Sequence, residues 1–344
     1  MAEKLKTAIM GLSPVGVKLL EAADRTSLFE LRAVADSDGE QAQKIAAIYD
    51  CQPHNDYRQL VIQPDLQVLL VAEPMHLCRE HLRVAIKNNC NILKLLPPAL
   101  DFEQAADMIR TAEKQKVKFD VASRIRVAPG FRKVKEYIRA QGREKFHLIT
   151  AVCHLPAQQL EPNERWLADP QLAGGGVILQ KCYELLERVV DIFDIPQQIY
   201  TLLTSHAPDR KQRLSTTEDT ALITMKFSDT LLANVTASRV LGPPALMLRI
   251  HSKENYIKAT PDSMTLFDNQ GEILEQYNYI QQPDNSLETM LTEFAHSITN
   301  PPKPPTEPTY HPIIETMSLI ESAYVSARTA MPEPTQRILK LVRP

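Results

Sequence analysis

Lys6-Thr7-Ala8-Ile9-Met10 followed by Gly11-Leu12-Ser13-Pro14-Val15-Gly16-Val17-Lys18-Leu19-Leu20 is the stretch whose reading decides the fold. A short apolar run stops at a glycine, and apolar residues then recur at helical spacing, which reads as strand, tight turn and amphipathic helix. The turn is G-x-G-x-x-G with its middle glycine replaced by Ser13. In that motif the first glycine makes the turn, the second lets backbone approach a pyrophosphate, and the third lets helix and strand pack closely. Ser13 compromises only the second role. Pro14 suits the first helical turn, where its missing N–H has no partner to lose, and Val15 follows at the helix N-terminus, which still offers backbone donors to an anion. Phosphate binding is therefore expected to persist, in weakened form.

Asp36, at the end of the second expected strand, stands where an acid accepts hydrogen bonds from a ribose diol. Its charge repels a 2′-phosphate and neither Ser37 nor Asp38 supplies an arginine, so NAD is expected over NADP. A second reading stays open: Gly11 and Gly16 only shape the turn, and Asp36 caps the next helix.

Outward from this unit, strands are expected at 6–10, 30–35, 68–71, 91–95 and 118–121, with helices at 15–23, 40–49, 76–88 and 102–116 between them. This alternation predicts an α/β doubly wound parallel sheet that places ligands at its carboxyl ends. Beyond residue 121 the segments 147–152, 198–205, 221–228 and 231–238 alternate in the manner of half-buried antiparallel strands. In 221–227, for example, Ala221, Ile223, Met225 and Phe227 are apolar while Thr224 and Lys226 point the other way. The expectation is a dinucleotide-binding domain over 1–121 and an α+β domain with an open, mostly antiparallel sheet over 122–344, with the last helices free to pack back on the first domain. Gly174-Gly175-Gly176 introduces a helix expected to run through Val190. Further helices are expected at 131–140, 287–298 and 312–327, and Pro301-Pro302-Lys303-Pro304-Pro305 reads as an extended connector.

Composition narrows the function. With 344 residues, two cores are affordable. A net charge of −3 gives no sign of a nucleic-acid binder. The N-terminus shows no signal peptide or membrane span, so a cytoplasmic location is expected. Five cysteines without a C-x-x-C pair indicate reduced core residues, and the histidines show no ligand spacing, so no metal is expected.

Over essentially its whole length the chain resembles the Gfo/Idh/MocA family, named for glucose-fructose oxidoreductase and inositol dehydrogenase. The resemblance rests on the glycine turn, Asp36, Glu73-Pro74-Met75-His76, Leu95-Leu96-Pro97, Ser123–Pro129, the Gly174–Gly176 run with its following helix, and the closing segment 293–330. It implies a Rossmann domain binding nicotinamide dinucleotide, with Glu73, Pro74, Leu96 and Pro97 beside the cofactor. It also implies a second domain that takes a sugar- or cyclitol-like ligand and forms homo-oligomers through its sheet. The family's proton-handling lysine, aspartate and histidine correspond to Leu96, Gln180 and Glu184 here. Leucine exchanges no proton, Gln180 only orients a hydroxyl, and Glu184 alone titrates.

On one continuous helix Gln180 and Glu184 would share a face toward a ligand. Equally, Gln180, Lys181, Glu184, Glu187 and Arg188 would make a solvated face with an ordinary Glu184–Arg188 pair. Lys94 lies on the same strand face as Leu96 but about 6–7 Å farther back, an assistant at best. Arg124 and Arg126, with Arg132 and Lys133, either bind an anionic ligand or form a solvated charged segment, and Trp166 and Tyr183 either line a cleft or pack in the core. Two functions follow: a dehydrogenase with Glu184 as its atypical acid/base, helped by Gln180 and Lys94, or a non-catalytic dinucleotide- or sugar-binding sensor or assembly protein.

Overall fold

A computed structural model of the chain describes residues 3–156, 162–205, 217–280, 284–300 and 311–342. In chain order its first elements are β1 (Leu5–Met10), α1 (Pro14–Thr26), β2 (Phe29–Ala35), α2 (Gly39–Tyr49), β3 (Gln52–His54), α3 (Tyr57–Val61), β4 (Val68–Val71), α4 (Met75–Lys87), β5 (Asn91–Leu95), α5 (Phe102–Gln115) and β6 (Phe119–Ala122). Then come α6 (Arg124–Val127), α7 (Pro129–Gln141), β7 (Phe146–His154), α8 (Pro170–Ala173), α9 (Val177–Gln180), α10 (Tyr183–Phe193), β8 (Gln198–Thr204), β9 (Thr220–Lys226) and β10 (Leu232–Ser238). The chain closes with β11 (Ala245–Ser252), β12 (Asn255–Thr260), β13 (Ser263–Asp268), β14 (Ile273–Asn278), α11 (Ser286–Thr299), α12 (Pro312–Thr329), β15 (Glu333–Pro334) and α13 (Thr335–Leu339).

Two compact units result. The first holds β1 through β5, most of α5, β6 and α11. Its sheet is parallel, in the order β3-β2-β1-β4-β5-β6. The central strands bury both faces, which is why Ala8, Ile9 and Met10 are wholly buried and β4 is four apolar residues in a row. β3 and α3 are additions to the expected pattern. β3 is too short and polar to stand out, and α3 owes its start to Asp56, whose carboxylate accepts the Arg58 N–H.

The second unit holds Leu100–Phe102 and everything from α6 through β14, with α12, β15 and α13. Its sheet runs β14-β13-β12-β11-β7-β10-β9-β8-β15. The alternation in β9 is as the sequence implies, with Ala221, Ile223 and Met225 buried and Leu222 46% exposed. One expectation is corrected: β7 and β10 are parallel partners, Leu232 opposite Leu148, because the chain crosses over between them instead of returning by a hairpin. A second correction concerns the helix after the glycines. It breaks at Lys181 and Cys182, where the Cys182 N–H bonds back to the Val177 carbonyl at 2.9 Å, and α10 begins afresh at Tyr183. The proline-rich stretch 301–305 lies outside the described residues.

Candidate functional site

In the first unit the glycine turn is built as its motif requires. Gly11 has φ +91°, a conformation that costs other residues, and a Cβ on Gly16 would stand 2.2 Å from the Gly11 carbonyl oxygen, so the strand–helix approach depends on its absence. Ser13 caps α1, its hydroxyl facing the Gly16 N–H at 3.4 Å, and Pro14 occupies the first turn. Gly11 donates its N–H to Ala35 at 2.9 Å, and Leu12 donates to Asp36 Oδ2 at 2.6 Å. Asp36 Oδ1 accepts from Asp38 N–H at 2.9 Å. Asp36 thus braces the turn and keeps lone pairs for a diol. The cap of α2 is Asp38, which accepts from Glu40 and Gln41 at 3.0 and 3.1 Å, so the capping role considered for Asp36 belongs to its neighbour. The Ser13 and Val15 amides at the start of α1 suit a phosphate, and Asp36 suits a ribose.

Glu73, beyond β4, leans over this turn: a Cβ on Gly11 would meet its Oε1 at 2.6 Å. The buried Tyr57 hydroxyl, on the unanticipated α3, faces Glu73 without closing a hydrogen bond of ordinary geometry. Burial raises the Glu73 carboxyl and the nearby Asp36 adds to this, while Tyr57 and Lys94 pull the other way. Pro74 stands at the start of α4. Lys94 is 1% exposed, and its Nζ donates to the Leu95 carbonyl at 2.7 Å. The long side chain thus reaches forward, toward the strand end where Leu96 and Pro97 begin. Burial lowers its ammonium, against the opposing pull of Cys78 and Glu73.

In the second unit the three glycines serve close packing. A Cβ would strike the Leu100 carbonyl oxygen at 2.2 Å from Gly174, the Tyr324 hydroxyl at 2.1 Å from Gly175, and the Glu218 carbonyl oxygen at 1.9 Å from Gly176. Glu218, which sequence reasoning missed, clamps the run. Its carboxylate accepts from Gly176 N–H at 2.7 Å, Ile178 N–H at 3.0 Å and the Tyr324 hydroxyl at 2.9 Å. No local signal connects Glu218 to glycines 42 positions earlier. A cavity of about 570 Å³ lies here, its wall including Leu100, Leu179, Glu218, Tyr324 and Arg328.

Gln180 and Glu184 serve different neighbours. Gln180 Nε2 donates to the Ala173 carbonyl at 2.6 Å, tying α9 to the end of α8. Glu184 accepts the Ile125 N–H at 3.3 Å, with the Arg124 N–H also turned to it. Burial raises its carboxyl and Glu187 adds to this, against those amides and the Arg124 charge. The solvated-face reading is overturned for this helix. Glu187 and Arg188 are 6% and 3% exposed, and Arg188 bonds to Asp191 at 2.6 Å and to the Ile125 and Arg126 carbonyls at 3.0 and 2.6 Å. Arg126 pairs with Glu187 at 2.6 Å, and Arg132 Nε donates to the Arg126 carbonyl at 3.3 Å. Tyr183 is buried in the core at 1% exposure, and Trp166 is half-buried on the 3-10 segment Pro162–Ala168. Among the described residues no cluster of three or more His, Cys, Asp or Glu is arranged to hold a metal, and no helix is long and apolar enough to cross a membrane.

Residues 5–123 match the oxidoreductase family with an NAD-binding Rossmann fold, and residues 131–258 match the GFO/IDH/MocA C-terminal domain. Among curated proteins, the chain is 27% identical over 201 residues to D-glucoside 3-dehydrogenase of Escherichia coli, covering 56% of this chain and 55% of that protein. It is 24% identical over 201 residues to 2,7-anhydro-N-acetylneuraminate hydratase of Mediterraneibacter gnavus, covering 58% and 52%. The matched stretch thus spans about half the length of these relatives. Among solved structures, levoglucosan dehydrogenase in complex with NADH and levoglucosan superposes with a TM-score of 0.83 at 15% identity, over 96% of this chain and 99% of that one. Aldose-aldose oxidoreductase from Caulobacter crescentus, complexed with glycerol, gives 0.81 at 16%, over 96% and 100%. With both of its domains matched in order, the chain belongs to the Gfo/Idh/MocA family of oxidoreductases, its N-terminal domain being the family's NAD-binding Rossmann domain.

Proposed function

We propose that the protein holds NAD(H) on the Gly11–Gly16 turn and a sugar- or cyclitol-like ligand in its C-terminal domain, and that it does not interconvert carbinol and carbonyl by the family's usual proton route. The bound nicotinamide would accept or deliver hydride. The chain's own residues must move the hydroxyl proton, and the observation that carries the proposal is their state. Leu96 is hydrocarbon, the Gln180 amide is given to Ala173, and the Glu184 carboxylate is engaged by the Ile125 N–H. The sugar-related names of the relatives support the ligand class.

A second reading, an atypical dehydrogenase with Glu184 as acid/base, draws on one observation: burial raises the Glu184 carboxyl, as a proton-exchanging group working near neutrality requires. Fluorescence titration with NADH tests the cofactor site, and silence at millimolar NADH rejects it. A screen of polyols and sugars for hydride exchange, repeated with Glu184→Gln, then separates the readings. Turnover abolished by that substitution supports the acid/base role, and no turnover of any polyol supports the binding protein.

Assembly through the sheet belongs to the same proposal. Leu148, Leu202, Leu222 and Leu232 are 40–52% exposed on one face of β7–β10, where a second copy would cover them. Light scattering reads the outcome, and a monomer at micromolar concentration rejects it.

A further inference from the structure

We propose that Glu73 is a charge gate on the dinucleotide turn: its carboxylate, held against Gly11, takes up a proton when a pyrophosphate-bearing nucleotide binds. The proposal rests on the reading that this turn holds NAD(H), and adds to it a residue that sets when the nucleotide is admitted.

Residues 11–16 carry no cationic side chain. Pro14 has no N–H, and those of Gly11, Leu12 and Gly16 face Ala35, Asp36 and Ser13. What remains for an anion is the Ser13 and Val15 amides, the O–H of the Ser13 hydroxyl, which only accepts from Gly16, and the partial charge of the helix N-terminus. Against this modest attraction stand two carboxylates, Asp36 and Glu73. Asp36 is occupied by two backbone amides and suits a ribose. Glu73 is the one pressed on the turn, with Oε1 only 2.6 Å and Cγ 2.9 Å from where a Gly11 Cβ would sit. An anion brought to that turn meets a like charge in a half-buried setting, where water screens poorly.

The groups around Glu73 come from three elements and from the residue that follows β2. Asp36 after β2 disfavours its charge, Tyr57 of α3 and Lys94 of β5 favour it, and Cys78 of α4 donates its thiol to the Glu73 backbone carbonyl at 3.6 Å. Burial is the largest influence and favours the neutral form, so the carboxyl is already displaced toward the proton it needs. Once protonated, Glu73 keeps an acceptor for Tyr57 and presents an O–H donor in place of a negative charge.

Isothermal calorimetry of the full chain with ADP-ribose, which carries the pyrophosphate without nicotinamide, tests the gate. Measurements between pH 5.5 and 8 in two buffers of different ionisation enthalpy count the protons taken up. The wild type is expected to bind more tightly as pH falls, by up to roughly tenfold per pH unit, with uptake reaching at least about half a proton per ADP-ribose. Glu73→Gln is expected to bind with no proton uptake, with pH-independent affinity, and more tightly than wild type at pH 8. Binding by the wild type without proton uptake overturns the gate and leaves the cofactor reading standing. Failure of both proteins to bind ADP-ribose at any pH overturns the cofactor reading and the gate with it. The wild-type proton count needs no variant to fold.

Discussion

Replacing Arg126 with methionine decides whether this arginine is a ligand group or a structural one. Its guanidinium lies 2.6 Å from Glu187 Oε1, with the arginine side chain 32% exposed and the glutamate 7%. Methionine preserves much of the packed stem and removes the charge, leaving a buried carboxylate without its ion-pair partner. Breaking a fully buried pair costs about 3–5 kcal/mol. Since a third of the arginine reaches water, solvent screens part of this, and about 2–3 kcal/mol is expected. For domains of this size that is a fall in Tm of roughly 4–12 °C. The assay is thermal and urea unfolding of the wild type, Arg126→Met, Glu187→Gln and the double variant. Because the cost is mainly that of the stranded carboxylate, Arg126→Met with Glu187→Gln should recover more than half of it. A single variant within about 0.5 kcal/mol of wild type, or a double variant whose losses simply add, would falsify the structural assignment.

Three further outcomes are expected. Glu315→Gln should stabilise the protein at pH 8 and leave it unchanged below pH 4.5. Burial, with Asp194 and Asp191 adding to it, pushes this carboxyl from its ordinary 4.5 to about 7, so the folded state binds the proton more tightly and stability falls as pH rises through that window. Screening of this half-exposed group limits the gain to about 1–2 kcal/mol, read from unfolding midpoints across pH 4–9. Tyr324→Phe should cost roughly 1.5–3 kcal/mol in urea unfolding, by removing the hydroxyl that donates to the Glu218 carboxylate at 2.9 Å. Asp36→Ala should weaken ADP-ribose about tenfold or more, and Asp36→Asn less, since asparagine keeps an acceptor for the Leu12 N–H; equal affinity in all three proteins would remove Asp36 from the site.

The parallel sheet of the first unit was legible because its determinants are local. Each buried strand is a short apolar run, and each helix carries a stripe at 3.6-residue spacing, so β4 and β5 fall at the expected residues. Gly11, Ser13, Pro14 and Gly16 declare their roles by position, because a strand-to-helix turn constrains φ and approach distance within six residues. The break after Gln180 was hidden, since Val177 through Val190 reads as one amphipathic stretch. What interrupts it is the Cys182 amide turning back to Val177, with Gln180 held to Ala173 and Glu184 to the amide of Ile125. The same holds for Glu218 clamping the Gly174–Gly176 run and for Glu73 leaning on Gly11. Periodicity and turn chemistry act over a few residues, so the sequence alone determined most elements of the first unit and the order of the two domains. Burial, pairing and charge regulation arise between segments tens of residues apart. Only the tertiary structure therefore decided which carboxylates are braced, paired or pressed against the glycine turn.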